Sequence, residues 1–127
     1  MVRPPHAVRS LLLAAVASSA LGCDRAAAPV VCLDYAAPSL AVSVVDAATG
    51  ATAVGALVTA RDGGYLDSAR VSTYGPSIGL AYERPGSYVV TASKDGYSDA
   101  QMSGVLVSRG QCHVVTARVA LELNPIP

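Results

Sequence analysis

"SLAVSVVDAATGATAVGALVTARDGG", Ser39 to Gly64, is the stretch that decides the fold. Successive side chains of an extended chain point to opposite faces, so Leu40, Val42 and Val44 share one face while Ala41, Ser43 and Val45 share the other. "DAATG", ending at Gly50, supplies a turn, and "GALVTARD", Gly55 to Asp62, alternates again. Asp62-Gly63-Gly64 ends that second run. Two alternating runs of strand length, each closed by Asp and Gly, read as two β-strands.

The same grammar continues downstream. A weaker run from Leu66 to Tyr74 stops at Gly75-Pro76, and "IGLAY", Ile78 to Tyr82, precedes "ERPGS". There Pro85 and Gly86 fit the second and third positions of a type II turn, the third requiring a positive φ. "SYVVTAS", Ser87 to Ser93, is closed by "KDGY" with Gly96, and Gly104 to Ser108 is followed by Arg109-Gly110. In the last run, Cys112 to Leu123, Val115, Ala117, Val119, Leu121 and Leu123 fall on one face, with Arg118 and Glu122 on the other. About seven evenly spaced strands, with no helical period after the N-terminal run, predict an all-β, antiparallel Greek-key sandwich. Its core is to be built from Val, Leu, Ala and a few Tyr, because the chain has no Phe and no Trp. Such light side chains each bury little area, at about 25 cal/mol per Å².

Upstream, Met1 to Ser10 carries Arg3 and Arg9 and no acid, and Leu11 to Leu21 is an apolar run. A spanning helix needs roughly 20 apolar residues and a secretory h-region about 7–15, so the run reads as a signal segment rather than a membrane span. The tail Ala20-Leu21-Gly22-Cys23 resembles a bacterial lipobox, which implies cleavage before Cys23 and diacylation of its thiol. Leu21 stands two residues before the cysteine, and Ala20 takes the place three before that Leu usually fills. The plainer alternative is an ordinary secretory signal cut near Ser18-Ser19-Ala20. Cysteine arithmetic favours the lipoprotein reading: of Cys23, Cys32 and Cys112, lipidating the first leaves an even pair.

Residues 1–22 are thus read as signal, 23–38 as lipidated cysteine and tether, and 39–124 as the sandwich. The mature chain has 127 − 22 = 105 residues, enough for one small domain, and without Arg3 and Arg9 its charge is 7 − 9 = −2. The remaining basic residues are spread singly, which excludes the basic patch that nucleic acid requires. Cys32 lies just before the first strand and Cys112 opens the last. If those strands are parallel neighbours, both thiols arrive at one end of a sheet, and a disulfide between them staples the small core. In the chain-entropy model a loop of that length contributes roughly 4.5 kcal/mol. A metal site is the rival, but two thiolates and His113 fall short of a closed zinc set. Neither metal nor cofactor is expected.

The succession "VVDAATGATAVGALVTARDG", Val44 to Gly63, and "RPGSYVVTASKDGY", Arg84 to Tyr97, resembles the carboxypeptidase regulatory-like domain, a transthyretin-like (prealbumin-like) β-sandwich. The resemblance covers Ser39 to Leu123. It marks Gly50, Gly55, Gly63, Pro85, Gly86 and Gly96 as structural turn positions, with Tyr88 and Tyr97 as structural tyrosines. It implies no catalysis. The expectation is a lipid-anchored, extracytoplasmic protein of a bacterial cell envelope, tied to the membrane through Cys23. Its sandwich is expected to be a non-catalytic interaction or scaffold module for a protein or cell-envelope partner.

Two alternatives have sequence features to weigh. Sugar binding uses exposed aromatics, and Tyr65, Tyr74, Tyr82, Tyr88 and Tyr97 lie near strand ends, so a carbohydrate- or peptidoglycan-binding module stays open. A transthyretin-related hydrolase needs several histidines, whereas only His113 follows the signal. A triad with Ser72, Ser93 or Ser103 would have to be built on that residue alone.

Overall fold

The computed structural model describes residues 27–127, together with Val2 and Gly22. The chain divides into two units, Met1–Val30 and Val31–Pro127. Cys23 and, apart from Val2 and Gly22, the expected signal segment lie outside the described residues. No helix among the described residues is long and apolar enough to cross a membrane.

The second unit is all-β, with eight strands where about seven were expected. They are β1 (Leu40–Asp46), β2 (Leu57–Asp62), β3 (Tyr65–Arg70), β4 (Ile78–Leu80), β5 (Gly86–Ser93), β6 (Tyr97–Ser98), β7 (Ala100–Val107) and β8 (Ala117–Pro125). They form two four-stranded sheets, ordered β4-β1-β8-β6 and β3-β2-β5-β7. Pairing is antiparallel throughout except between β1 and β8, which run parallel from Leu40↔Ala117 to Asp46↔Leu123. That pair corrects the purely antiparallel expectation and is the neighbour relation the two cysteines called for.

The alternation that defined β1 is realised in burial. Leu40, Val42 and Val44 face the core with Val119, Leu121 and Leu123 of β8, while Val58, Ala60, Tyr88, Val90 and Ala92 face it from the other sheet. The β1–β2 turn is set by Asp46, whose Oδ1 accepts from the N–H groups of Ala48 (2.7 Å) and Thr49 (3.2 Å). Short polar side chains that bond backbone groups two or three residues on are what make "DAATG" a turn. Across the sandwich end, the Tyr97 hydroxyl donates to Asp46 Oδ2 at 2.7 Å. This hydroxyl is the main reason that the Asp46 carboxyl is held below its ordinary value.

Several boundaries differ from the sequence expectation. β3 ends at Arg70 rather than near Tyr74, and β7 begins at Ala100 rather than Gly104. Gly104 is instead a bulge: Tyr88 pairs with Val105 but Val90 pairs with Met102, so β7 carries one extra residue, and Gly104 takes φ +66°. β8 begins at Ala117, not Cys112, and Val115 is 56% exposed rather than part of the core face. The short β6 lies where only a closing turn was expected.

Candidate functional site

Cys32 and Cys112 are joined by a disulfide with Cα atoms 5.3 Å apart. Cys32 precedes β1 and Cys112 precedes β8, so the bond ties together the entrances of the two parallel strands. Around it the chain builds a second, polar fastening centred on Glu83. Main-chain bonds to this residue are reciprocal: its N–H donates to the Ala37 carbonyl (2.9 Å) and its Oε1 accepts from the Ala37 N–H (2.7 Å). Oε2 accepts from the Val114 N–H at 3.3 Å. His113 Nδ1 lies 2.6 Å from Oε1, and Nε2 lies 2.9 Å from the Leu33 carbonyl oxygen. The Tyr35 ring stacks at a tilt on the imidazole, centroids 4.2 Å apart.

One carboxylate therefore joins the segment before β1, the loop after β4 and the loop before β8. The Ala37 N–H, aided by His113 and the Val114 N–H and opposed by partial burial, lowers the Glu83 pKa below its ordinary 4.5. Both nitrogens of His113 face acceptors, so the imidazolium form satisfies both contacts while a neutral ring donates to only one. The backbone conforms to this arrangement at some cost, since Ala81 and Glu83 take φ of 55° and 50°, values that side chains with a Cβ rarely adopt. Ala81 is held there by donation from its N–H to Asp67 Oδ2 at 2.9 Å.

A neighbouring cluster fixes Arg84. Its guanidinium lies 2.8 Å from Asp62 Oδ2 and 3.1 Å from the Tyr88 hydroxyl, and sits 4.0 Å over the Tyr65 ring. The Tyr88 hydroxyl and Ser39 Oγ both donate to the Arg84 carbonyl, at 2.6 and 2.9 Å. Gly86, the first residue of β5, has no positive φ, so the expected type II turn at Pro85-Gly86 is absent and the turn falls earlier, at Ala81–Glu83. What Gly86 provides is room: a Cβ there would run into the Asp62 carboxylate that holds Arg84.

The other turn glycines singled out from sequence, Gly50, Gly55, Gly63 and Gly96, take positive φ between strands. Gly55 and Gly96 also border a hollow of about 510 Å³, whose charged lining is Arg70, Lys94, Asp95 and Asp99. Arg70 is tied there to the Gly55 carbonyl at 3.0 Å. Ser72, Ser93 and Ser103 are not among the hydrogen-bond partners of His113. Among the described residues no group of three or more His, Cys, Asp or Glu is placed to hold a metal.

Sequence reasoning missed Glu83, Arg84 and Tyr35. The available signal was a charged pair, Glu83-Arg84, set between the apolar "IGLAY" and Pro85, where a plain turn needs neither charge. A scan against protein-family models finds no match to this chain, and a search of curated proteins finds none either.

Proposed function

We propose that the chain is a lipid-anchored, extracytoplasmic protein of the bacterial envelope whose β-sandwich serves as a non-catalytic interaction or scaffold module. The disulfide carries this reading. Such bonds persist in oxidising compartments, and pairing Cys32 with Cys112 leaves Cys23, directly after the apolar run, as the thiol for a lipid. A transthyretin-like, Greek-key topology of the carboxypeptidase regulatory-like kind is part of the proposal. Supporting it are the two four-stranded sheets, the parallel pairing of β1 with β8, and the turn at "DAATG" closed by Asp46.

The fastening around Glu83 and the disulfide also supports a short tether. If Cys32 is pinned to the sandwich, only 32 − 23 = 9 residue steps separate it from the lipid, about 30 Å when fully extended. Mass spectrometry of the protein extracted from membranes tests the anchor: an N-terminal peptide starting at acylated Cys23 upholds it, and an unmodified thiol there overturns it. Crosslinking in intact cells, followed by identification of what is captured, tests the module. One dominant protein partner is expected.

A glycan-binding module is the second reading, favoured by one observation. Tyr74, in the loop between β3 and β4, is 98% exposed. Tyr65, by contrast, is covered by Arg84. Loss of binding to wall fragments on Tyr74→Ala would establish this reading in place of the first.

A further inference from the structure

A strand at a sheet edge offers a row of unpaired N–H and C=O groups, which proteins blunt with short edges, bulges, prolines, charged side chains or covering segments. Three of the edges here are treated in this way. β4 has three residues, β7 is interrupted by the bulge at Gly104, and β3 is engaged by Asp67, whose carboxylate accepts from the Ala81 N–H. The fourth is different. Among the described residues β8 pairs with β1 on one side, and on the other its strand pairing is limited to β6, at Ser98↔Asn124 and Tyr97↔Pro125, while β7 passes close by without pairing to it.

Main-chain bonds show which residues face that open side. The Ala117 N–H donates to the Ser39 carbonyl and the Leu123 carbonyl accepts from the Ala47 N–H, so the odd-numbered residues point towards β1. The N–H and C=O groups of Arg118, Ala120 and Glu122 therefore point to the open edge, as those of Asn124 do where β6 meets it. Side chains of all three stand exposed on the outer face of the sheet. From Ala117 to Leu123 there is no Pro or Gly, and the two charges on the edge, Arg118 and Glu122, are of opposite sign.

We infer that this edge pairs with the same edge of a second copy of the chain, antiparallel about a two-fold axis through Ala120. In that register Ala120 faces Ala120 of the second copy, Arg118 faces its Glu122, and Glu122 faces its Arg118. All three are hydrogen-bonded pairs of an antiparallel ladder, about six main-chain bonds in total. Opposite charges then lie directly across the strands on one face, the arrangement that stabilises cross-strand pairs. The next in-register choice, centred on Arg118, would put like charges together. β6 ends the paired span at one end. At the other, Thr116 is tied to the segment before β1 by its hydroxyl, which donates to the Pro38 carbonyl at 2.6 Å. Two copies joined in this way have a self-complementary interface, with continuous β4-β1-β8 sheets running through it. The inference goes beyond the proposed function and does not depend on the lipid.

Sedimentation of the purified, oxidised full chain over concentrations up to about 1 mM tests it. Wild type should reach dimer. Arg118→Glu sets Glu against Glu, and Glu122→Arg sets Arg against Arg, so each alone should weaken self-association by roughly tenfold or more. Mixing the two variants restores both pairs. The glutamate introduced by Arg118→Glu in one copy then meets the arginine introduced by Glu122→Arg in the other, while the native Glu122 and Arg118 meet across the axis. The mixture should therefore dimerise where neither variant does. A wild type that stays monomeric throughout overturns the inference. So does a dimer that withstands both single reversals, or a mixture that fails to recover it.

Discussion

Replacing both Cys32 and Cys112 by Ala removes a crosslink across a sequence separation of 80 residues. The residues themselves contribute little packing, since Cys32 is exposed and Cys112 only half-buried. The loss is therefore dominated by the denatured chain, which regains the freedom that the closed loop denied it. For this loop the chain-entropy relation gives roughly 4.5 kcal/mol, within the range of about 2–5 kcal/mol seen when small secreted domains lose a native disulfide. In a domain of this size the thermal midpoint should fall by roughly 20 °C. Urea unfolding followed by circular dichroism, comparing wild type with the double variant, measures the difference directly. Because the open denatured chain exposes more surface, the slope with denaturant should rise as the midpoint falls. A loss under about 1 kcal/mol with an unchanged slope would refute the reasoning, since it would mean the denatured chain already holds the entrances of β1 and β8 together.

Three further outcomes are expected. The Glu83 carboxyl titrates below its ordinary 4.5 in the folded state, so the stability it contributes is complete above that pH and is lost as pH falls through the folded value; Glu83→Gln should flatten the acid limb of a plot of urea midpoint against pH. Tyr88→Phe removes a fully buried hydroxyl that donates to the Arg84 carbonyl, and should cost about 1–2 kcal/mol by urea unfolding. At Gly104 a Cβ would meet nothing within 4 Å, so Gly104→Ala should cost only the strain of a left-handed backbone, about 1 kcal/mol or more in thermal unfolding.

Strands β1, β2 and β5 are legible in the sequence because each alternates over six or more residues and is closed by a turn residue whose chemistry is local. The start of β8 is not, because Cys112 to Thr116 continues an alternation of the wrong meaning. Val114 is buried beneath the Glu83 fastening and Val115 is exposed, with both placements set by a loop that the disulfide and Glu83 hold. Pro85-Gly86 misleads for a related reason. A Pro-Gly pair reads as a type II turn, yet this glycine is required by a carboxylate from β2 that the local sequence does not contain. The candidate site shows the same division. Its cysteines could be paired by counting, whereas Glu83 finds partners 46 residues before it and 30 after it, distances at which no local pattern operates.

The disulfide also determines how the domain bears load. A pull applied between the segment before Cys32 and the C-terminus passes across the sulfur bridge to Cys112 and out along β8. Strands β1 to β7 lie inside the closed loop and carry none of that tension through their own backbone. Even if the sandwich unfolded under force, the path from Cys112 to Pro127 could span no more than its 127 − 112 = 15 residue steps, about 50 Å at full extension, and much of that is already extended in β8. Between Cys32 and Pro127 the covalent load path is short and nearly inextensible, with most of the structure held to one side of it.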